Sequence, residues 1–157
     1  MKYLREYNEY LNDNFWKWFG DSKVIDSNGK PLVVYHSTNK DFDVFNVKGQ
    51  STAFFFSENK KVDMFPIFGN KEKPHSYEST IMPVYLYINN PKHLEDISYE
   101  PFFENQEIEL AKKEKFDGII IERDNTKTYI AFKSNQIKSA IGNNGNFSHK
   151  KNINENI

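Results

Sequence analysis

An α+β fold with antiparallel strand pairing is what this sequence predicts, on three observations. Short apolar strand patterns outnumber helical ones, two pairs of strands are joined by turn signals tight enough for hairpins, and helical periodicity is confined to a few segments. The chain of 157 residues suits one domain with a genuine core, and its 14 Phe and 9 Tyr predict that ring packing dominates that core.

The elements follow in order. Leu4, Tyr7, Leu11, Phe15 and Trp18 recur at three- and four-residue steps, one face of an N-terminal helix that Gly20 stops. Such a face packs on a sheet and carries no chemistry. Val24-Ile25 and Leu32-Val33-Val34-Tyr35 flank Asp26-Ser27-Asn28-Gly29-Lys30, where Asn-Gly tolerates the positive φ of a hairpin turn. Pro31 suits a strand start, where its missing N–H matters least. Phe42, Val44 and Phe45 dip inward from a polar stretch. Ala53-Phe54-Phe55-Phe56 reads as a short buried strand in which alternation turns Phe55 away from its neighbours. Ser57 can cap a helix over 60–65, which Pro66 disturbs. Pro83 to Ile88 is a strand closed by Asn89-Asn90-Pro91, and a partial stripe of Phe103, Leu110 and Ala111 predicts a helix from Pro101 to Lys115. Phe116 to Ile121 and Tyr129 to Phe132 form a second hairpin, and Gln136 to Ile141 is the last ordered piece. From these patterns residues 1–141 make one domain, and the Asn-rich 142–157 make a loose tail.

Composition narrows the chemistry. A net charge of −1 gives no overall pull on nucleic acid, while leaving room for a local basic patch. No run approaches the apolar length of a membrane span, and the first residues lack a secretory core, so a soluble, cytoplasmic protein without membrane partners is expected. Zero cysteines remove disulfide and thiolate chemistry. The seven glycines form no dinucleotide or Walker loop, and the four histidines show no metal-ligand spacing, so no metal is expected. What remains is a site built from strands and loops.

The chain then offers, in order, Tyr35-His36-Ser37-Thr38, Phe54-Phe55-Phe56-Ser57 with Phe65 ten residues past Phe55, and Ser134-Asn135-Gln136-Ile137-Lys138-Ser139. An imidazole and two hydroxyls end an apolar strand, a rigid place from which to recognise a small ligand. Alone, each piece has a structural explanation: a hydrogen-bonded strand-end histidine, core phenylalanines, a polar strand edge. As an ordered set, with Trp18-Phe19-Gly20-Asp21-Ser22-Lys23-Val24, Phe42-Asp43-Val44-Phe45 and Asp117-Gly118-Ile119-Ile120, they resemble the ADP-ribosyltransferase superfamily. The similarity spans residues 14–147 and is to the diphtheria-toxin and poly-ADP-ribose-polymerase branch, closest to small domains of phage and mobile-element polyvalent proteins.

That resemblance implies a split antiparallel sheet binding NAD as co-substrate in a cleft. His36 would bond ribose hydroxyls, Thr38 with backbone at Ser37 would hold the nicotinamide carboxamide, Phe55 and Phe65 would wall the ring, and Gln136 would stand at the third-motif Glu. Three departures follow: Ser37 for Gly, Phe55 for Tyr, and Gln136 for Glu, the last removing a negative charge near a cationic transition state. Glu122, ending the strand before the third motif, is a candidate to compensate. The expected activity is mono-ADP-ribosyl transfer to a protein side chain or nucleic-acid base, in a toxin or phage effector. Lys127, Lys133 and Lys138 are expected near the cleft, within reach of phosphates. A non-catalytic NAD or ADP-ribose binding module is the alternative. An RNA 2′-phosphotransferase ranks lower, because the only arginines, Arg5 and Arg123, lie outside the motifs.

Overall fold

The computed structural model describes residues 11–38, 44–45, 53–59, 80–95, 101–123 and 125–155, with the backbone alone for 101–105. Helix α1 (Asp13–Phe19) is capped by Asn12, whose side-chain oxygen accepts from Phe15 N at 2.9 Å, and it ends at Gly20 with φ 51°. Seven residues make a marginal helix in isolation, so its stability comes from its rings. Phe15 is fully buried between Phe19, Tyr85 and Phe147, at centroid separations of 5.1, 4.9 and 5.1 Å.

The Asn-Gly turn forms as expected, with Gly29 at φ 79° and Asp26 Oδ1 accepting from Asn28 N and Lys30 N. Its strands meet only through an isolated bridge between Ile25 and Pro31. The main sheet has seven strands: β1 (Val34–Thr38), β2 (Phe54–Ser57), β3 (Thr80–Leu86), β4 (Pro91–Glu95), β5 (Gly118–Arg123), β6 (Thr126–Ala131) and β7 (Ile137–Ser139). Their order is β4-β5-β6-β2-β1-β3-β7, antiparallel throughout except for β4 with β5. Helix α2 (Pro101–Lys113) supplies the crossover that a parallel pair requires. No described helix is long and apolar enough to cross a membrane.

The sheet is split. β1 matches β3 over five residue pairs and β2 matches β6 over four, but β1 and β2 meet only at Tyr35↔Ser57. Alternation divides the core accordingly. On one face Val34, Phe56, Val84, Leu86, Tyr129 and Ile137 form a continuous cluster, closed by Phe45 and Ile153. On the other, α1 lies against Val33 and Tyr85, while Ile108 and Ala111 of α2 cover Ile119, Ile121 and Ile130.

The structure departs from the sequence reading in several places. β4 follows the Asn89-Asn90-Pro91 turn, and the sequence predicts no element there because Pro-Lys-His-Leu-Glu is polar, which an edge strand permits. Asp117 fixes its entry, accepting from Asn89 N at 2.7 Å and Asn90 N at 2.8 Å. The second difference is the C-terminal segment, expected to be a loose tail. Residues 142–155 instead close the β7 edge: Ser139 N donates to Ile153 O at 3.1 Å, Asn152 bridges Val44, and Phe147 and Ile153 are buried. The asparagines that suggested disorder are turn formers, with Asn143, Asn144 and Asn152 each accepting from a backbone N–H two residues on. Lys138, expected near a cleft, is instead fully buried, donating to Lys150 O at 2.8 Å with Glu155 at 3.5 Å.

Burial alone would raise the Glu155 carboxyl; hydrogen bonds from Ser148 and Asn143 and the Lys138 ammonium outweigh it and hold the group below the ordinary glutamate range. A carboxylate depressed on folding contributes stability above its unfolded pKa, lost as pH falls through the folded one. Urea unfolding at neutral pH should therefore show Glu155→Ala destabilised by about 3–5 kcal/mol, since it strands a buried ammonium. The gap between wild type and variant should narrow steadily as the pH falls below the ordinary glutamate range.

Candidate functional site

The site starts from why β1 ends as it does. Val33 and Val34 bury on opposite faces and lock the strand, so the next polar residues are delivered at a set position. Beyond Tyr35↔Ser57 the ladder to β2 has no further residue pair, and His36 spans the gap with its side chain. Nδ1 lies 2.8 Å from Phe55 O. A carbonyl can only accept, so Nδ1 donates, and in the neutral ring Nε2 carries the lone pair. Phe45 and Phe56 hold the imidazole in place, at centroid distances of 5.0 and 5.4 Å.

Ser37 and Phe55 belong to the opposite face, the one shared by Tyr35 and Ser57. Ser37 is 5 % exposed and its Oγ has no hydrogen-bond partner among the described residues, a rare state for a buried hydroxyl. Phe55 is half-buried beside the cluster under α2, paired across with Ile130. Its carbonyl, not its ring, meets His36. Thr38 is half-buried opposite Thr80 at the end of β1. Phe65 lies outside the described residues. The ring that packs on the imidazole and was not singled out from the sequence as a site residue is Phe45, whose signal was the inward dip of Val44-Phe45.

Gln136 is elsewhere. It sits in a 3-10 turn (Ser134–Gln136) leading into β7, 5 % exposed. Oε1 accepts from Phe132 N at 3.0 Å and Lys133 N at 2.8 Å, while Nε2 donates to Tyr87 O and Asp117 O, each at 2.8 Å. Both lone pairs and both amide hydrogens are spent on backbone. The side chain thus ties the end of β6 to the end of β3 and the start of β5, and the acceptor role expected of it toward a ribose is taken. The chemistry that demands glutamine is the paired donation to two carbonyls, which a glutamate cannot make.

The residue that β6 sets across from Ser57 at the junction is Thr128, which is buried. Carboxylates flank it. Glu58 follows Ser57 and accepts from Lys127 N at 2.8 Å, and Glu122 is exposed on β5 directly across from Lys127. Burial first, then Glu58 and Glu122, push the Tyr129 phenol upward, so both carboxylates act on the row next to Phe56 and His36. Glu58 was not singled out from the sequence, because nothing in its spacing sets it apart.

The family model described as ADP-Ribosyltransferase in polyvalent proteins matches residues 26–147. That span takes in every strand and all of the residues above. No curated protein and no solved structure matches the chain.

Gln136→Glu separates a buckle from a stand-in for an acid. It should lower the melting temperature, because Tyr87 O and Asp117 O lose their donors at about 1–3 kcal/mol for each buried group left unpaired. An unchanged melting temperature with faster turnover would overturn the buckle role.

Proposed function

The chain belongs to the family of ADP-ribosyltransferases in polyvalent proteins, and from that premise we propose that it cleaves NAD and transfers one ADP-ribose to a macromolecular acceptor. The observation that carries this is the junction of β1 and β2. There a histidine whose Nδ1 is committed to a carbonyl is followed, on the other face of the strand, by a buried serine hydroxyl with no partner among the described residues, the kind of atom a bound carboxamide or ribose satisfies.

NAD supplies a ribose joined to a cationic pyridinium, a bond that breaks with its electron pair leaving on the ring nitrogen. The chain's own residues bind and orient. His36 Nε2 accepts from a ribose hydroxyl, with Phe45 and Phe56 preventing the imidazole from turning. Ser37 and Thr38 bond the carboxamide, and the half-buried Phe55 ring, on the Ser37 face, walls the nicotinamide together with Phe65. Glu122, with Glu58 across β6, adds negative potential where positive charge develops on the sugar. Gln136 is a positioning residue that holds the two halves of the sheet together around the cleft. With no glutamate in the third motif, transfer stops at one unit. The polyvalent-protein family supports a role as a phage or mobile-element effector acting in the cytoplasm, without a metal.

A non-catalytic NAD or ADP-ribose binding module is the second reading, favoured by the full engagement of Gln136. One assay separates the two: nicotinamide release by the full chain. His36→Ala should slow release by about a hundredfold or more. Saturable NAD binding with no release would establish the module. Glu122→Gln should slow release on the order of tenfold at unchanged NAD affinity; an unaltered rate removes the compensating carboxylate.

A further inference from the structure

We infer that the groove running from Phe45 to Tyr87 binds single-stranded nucleic acid, which rests on the transferase reading only in making that strand the acceptor. Two hollows of about 670 and 390 Å³ share Phe132, Lys133, Asn135 and His149, so they adjoin along one stretch of surface. At one end stands Phe45, whose ring holds the His36 imidazole at 5.0 Å. The smaller hollow is therefore one ring away from His36.

Its lining is unlike the chain as a whole. The protein carries a net charge of −1, yet Lys112, Lys115, Lys133 and Lys151 line the groove. Asp117 is the single acid among the described lining residues, and both its oxygens already accept from Asn89 and Asn90. Glu109 lies 3.8 Å from Lys112 on α2, outside the lining, and leaves the other three lysines unmatched by any ion pair among the described residues. Lys115, Lys133 and Lys151 are exposed, so their charges reach solvent and a ligand equally.

Interleaved with these cations are the half-buried rings of Tyr87, Phe116 and Phe132. Lys112 Nζ already sits 5.4 Å from the Phe132 ring centre. Cations for a phosphate backbone alternating with rings for base faces is the requirement of a single strand. A duplex has its bases stacked internally and would use the lysines alone. An acidic peptide would likewise leave the rings without a purpose. A strand in this groove lays its bases along the aromatics and delivers one nucleotide to the Phe45 end, one ring from the imidazole.

The test uses the full chain and a fluorescent oligothymidylate of about twelve nucleotides, within the ~4–16 nucleotide span of single-strand grooves, with and without NAD. Saturable binding tighter than to the matching duplex is expected, with log Kd against log salt sloping by about 2 to 3 for three to four lysines. Lys133→Ala with Lys151→Ala should cut that slope by about 1.4. Phe132→Leu keeps an apolar side chain under α2, and should weaken binding about tenfold with the slope unchanged. The inference is overturned if duplex binds as well as single strand, if Phe132→Leu has no effect, or if polyglutamate displaces the oligonucleotide and labelled ADP-ribose goes to protein alone. Nicotinamide release without oligonucleotide binding sinks the groove and leaves the transferase standing. Oligonucleotide binding without nicotinamide release does the reverse.

Discussion

The hydrogen bond from His36 Nδ1 to Phe55 O holds together a sheet that its own backbone barely joins, since β1 and β2 share one residue pair. Strands that diverge leave unpaired backbone groups, and these must be met by side chains or by a ligand. Here an imidazole serves on one face, while on the other the Ser37 hydroxyl finds no partner among the described residues. The divergence that weakens the sheet is also what lets the His36 side chain, rather than a backbone group, reach the Phe55 carbonyl.

A split sheet needs reinforcement elsewhere, and two devices provide it. Gln136 spends its whole hydrogen-bonding capacity on four backbone groups drawn from β3, β5 and β6 and the segments that extend them. The C-terminal segment covers β7 and closes over the buried Lys138–Glu155 pair, whose charges are tolerated because backbone carbonyls and Ser148 complete their hydrogen bonds. Neither device draws on His36, so the bracing of the sheet and the imidazole at the β1–β2 junction are separate features. The groove of lysines and rings lies along the bracing turn itself, through Lys133 and Asn135, and reaches Phe45, the ring that packs on His36.

Much of the fold was legible along the chain. Val33-Val34 announced β1, Asn28-Gly29 its turn, and the run before Asp124-Asn125 the β5–β6 hairpin, where Asn125 takes φ 63°. α1 was readable through Phe15 and Trp18, although the rings that hold it, Tyr85 and Phe147, lie far off in sequence. Polar β4 and the Asn-rich closing segment escaped because an edge strand and a string of Asx turns both look like loop. Of the site, His36, Ser37 and Thr38 could be singled out by type and place. Gln136 could not be assigned its work, since a glutamine facing a ribose and one facing four backbone groups are the same letter.

Sequence by itself determined what is periodic and local: strand and helix stripes, turns that need positive φ, the family motif order, and a strand that must end in imidazole and hydroxyls. Only the tertiary structure decided which of those polar groups are spent and which are available. Gln136 finds partners 19 and 49 residues away and Lys138 finds one 12 residues on, while Ser37 Oγ has none among the described residues. Register decided the rest. One pair, Tyr35↔Ser57, sets His36 on one face and Ser37 with Phe55 on the other, and alternation in each strand cannot say how the strands are matched.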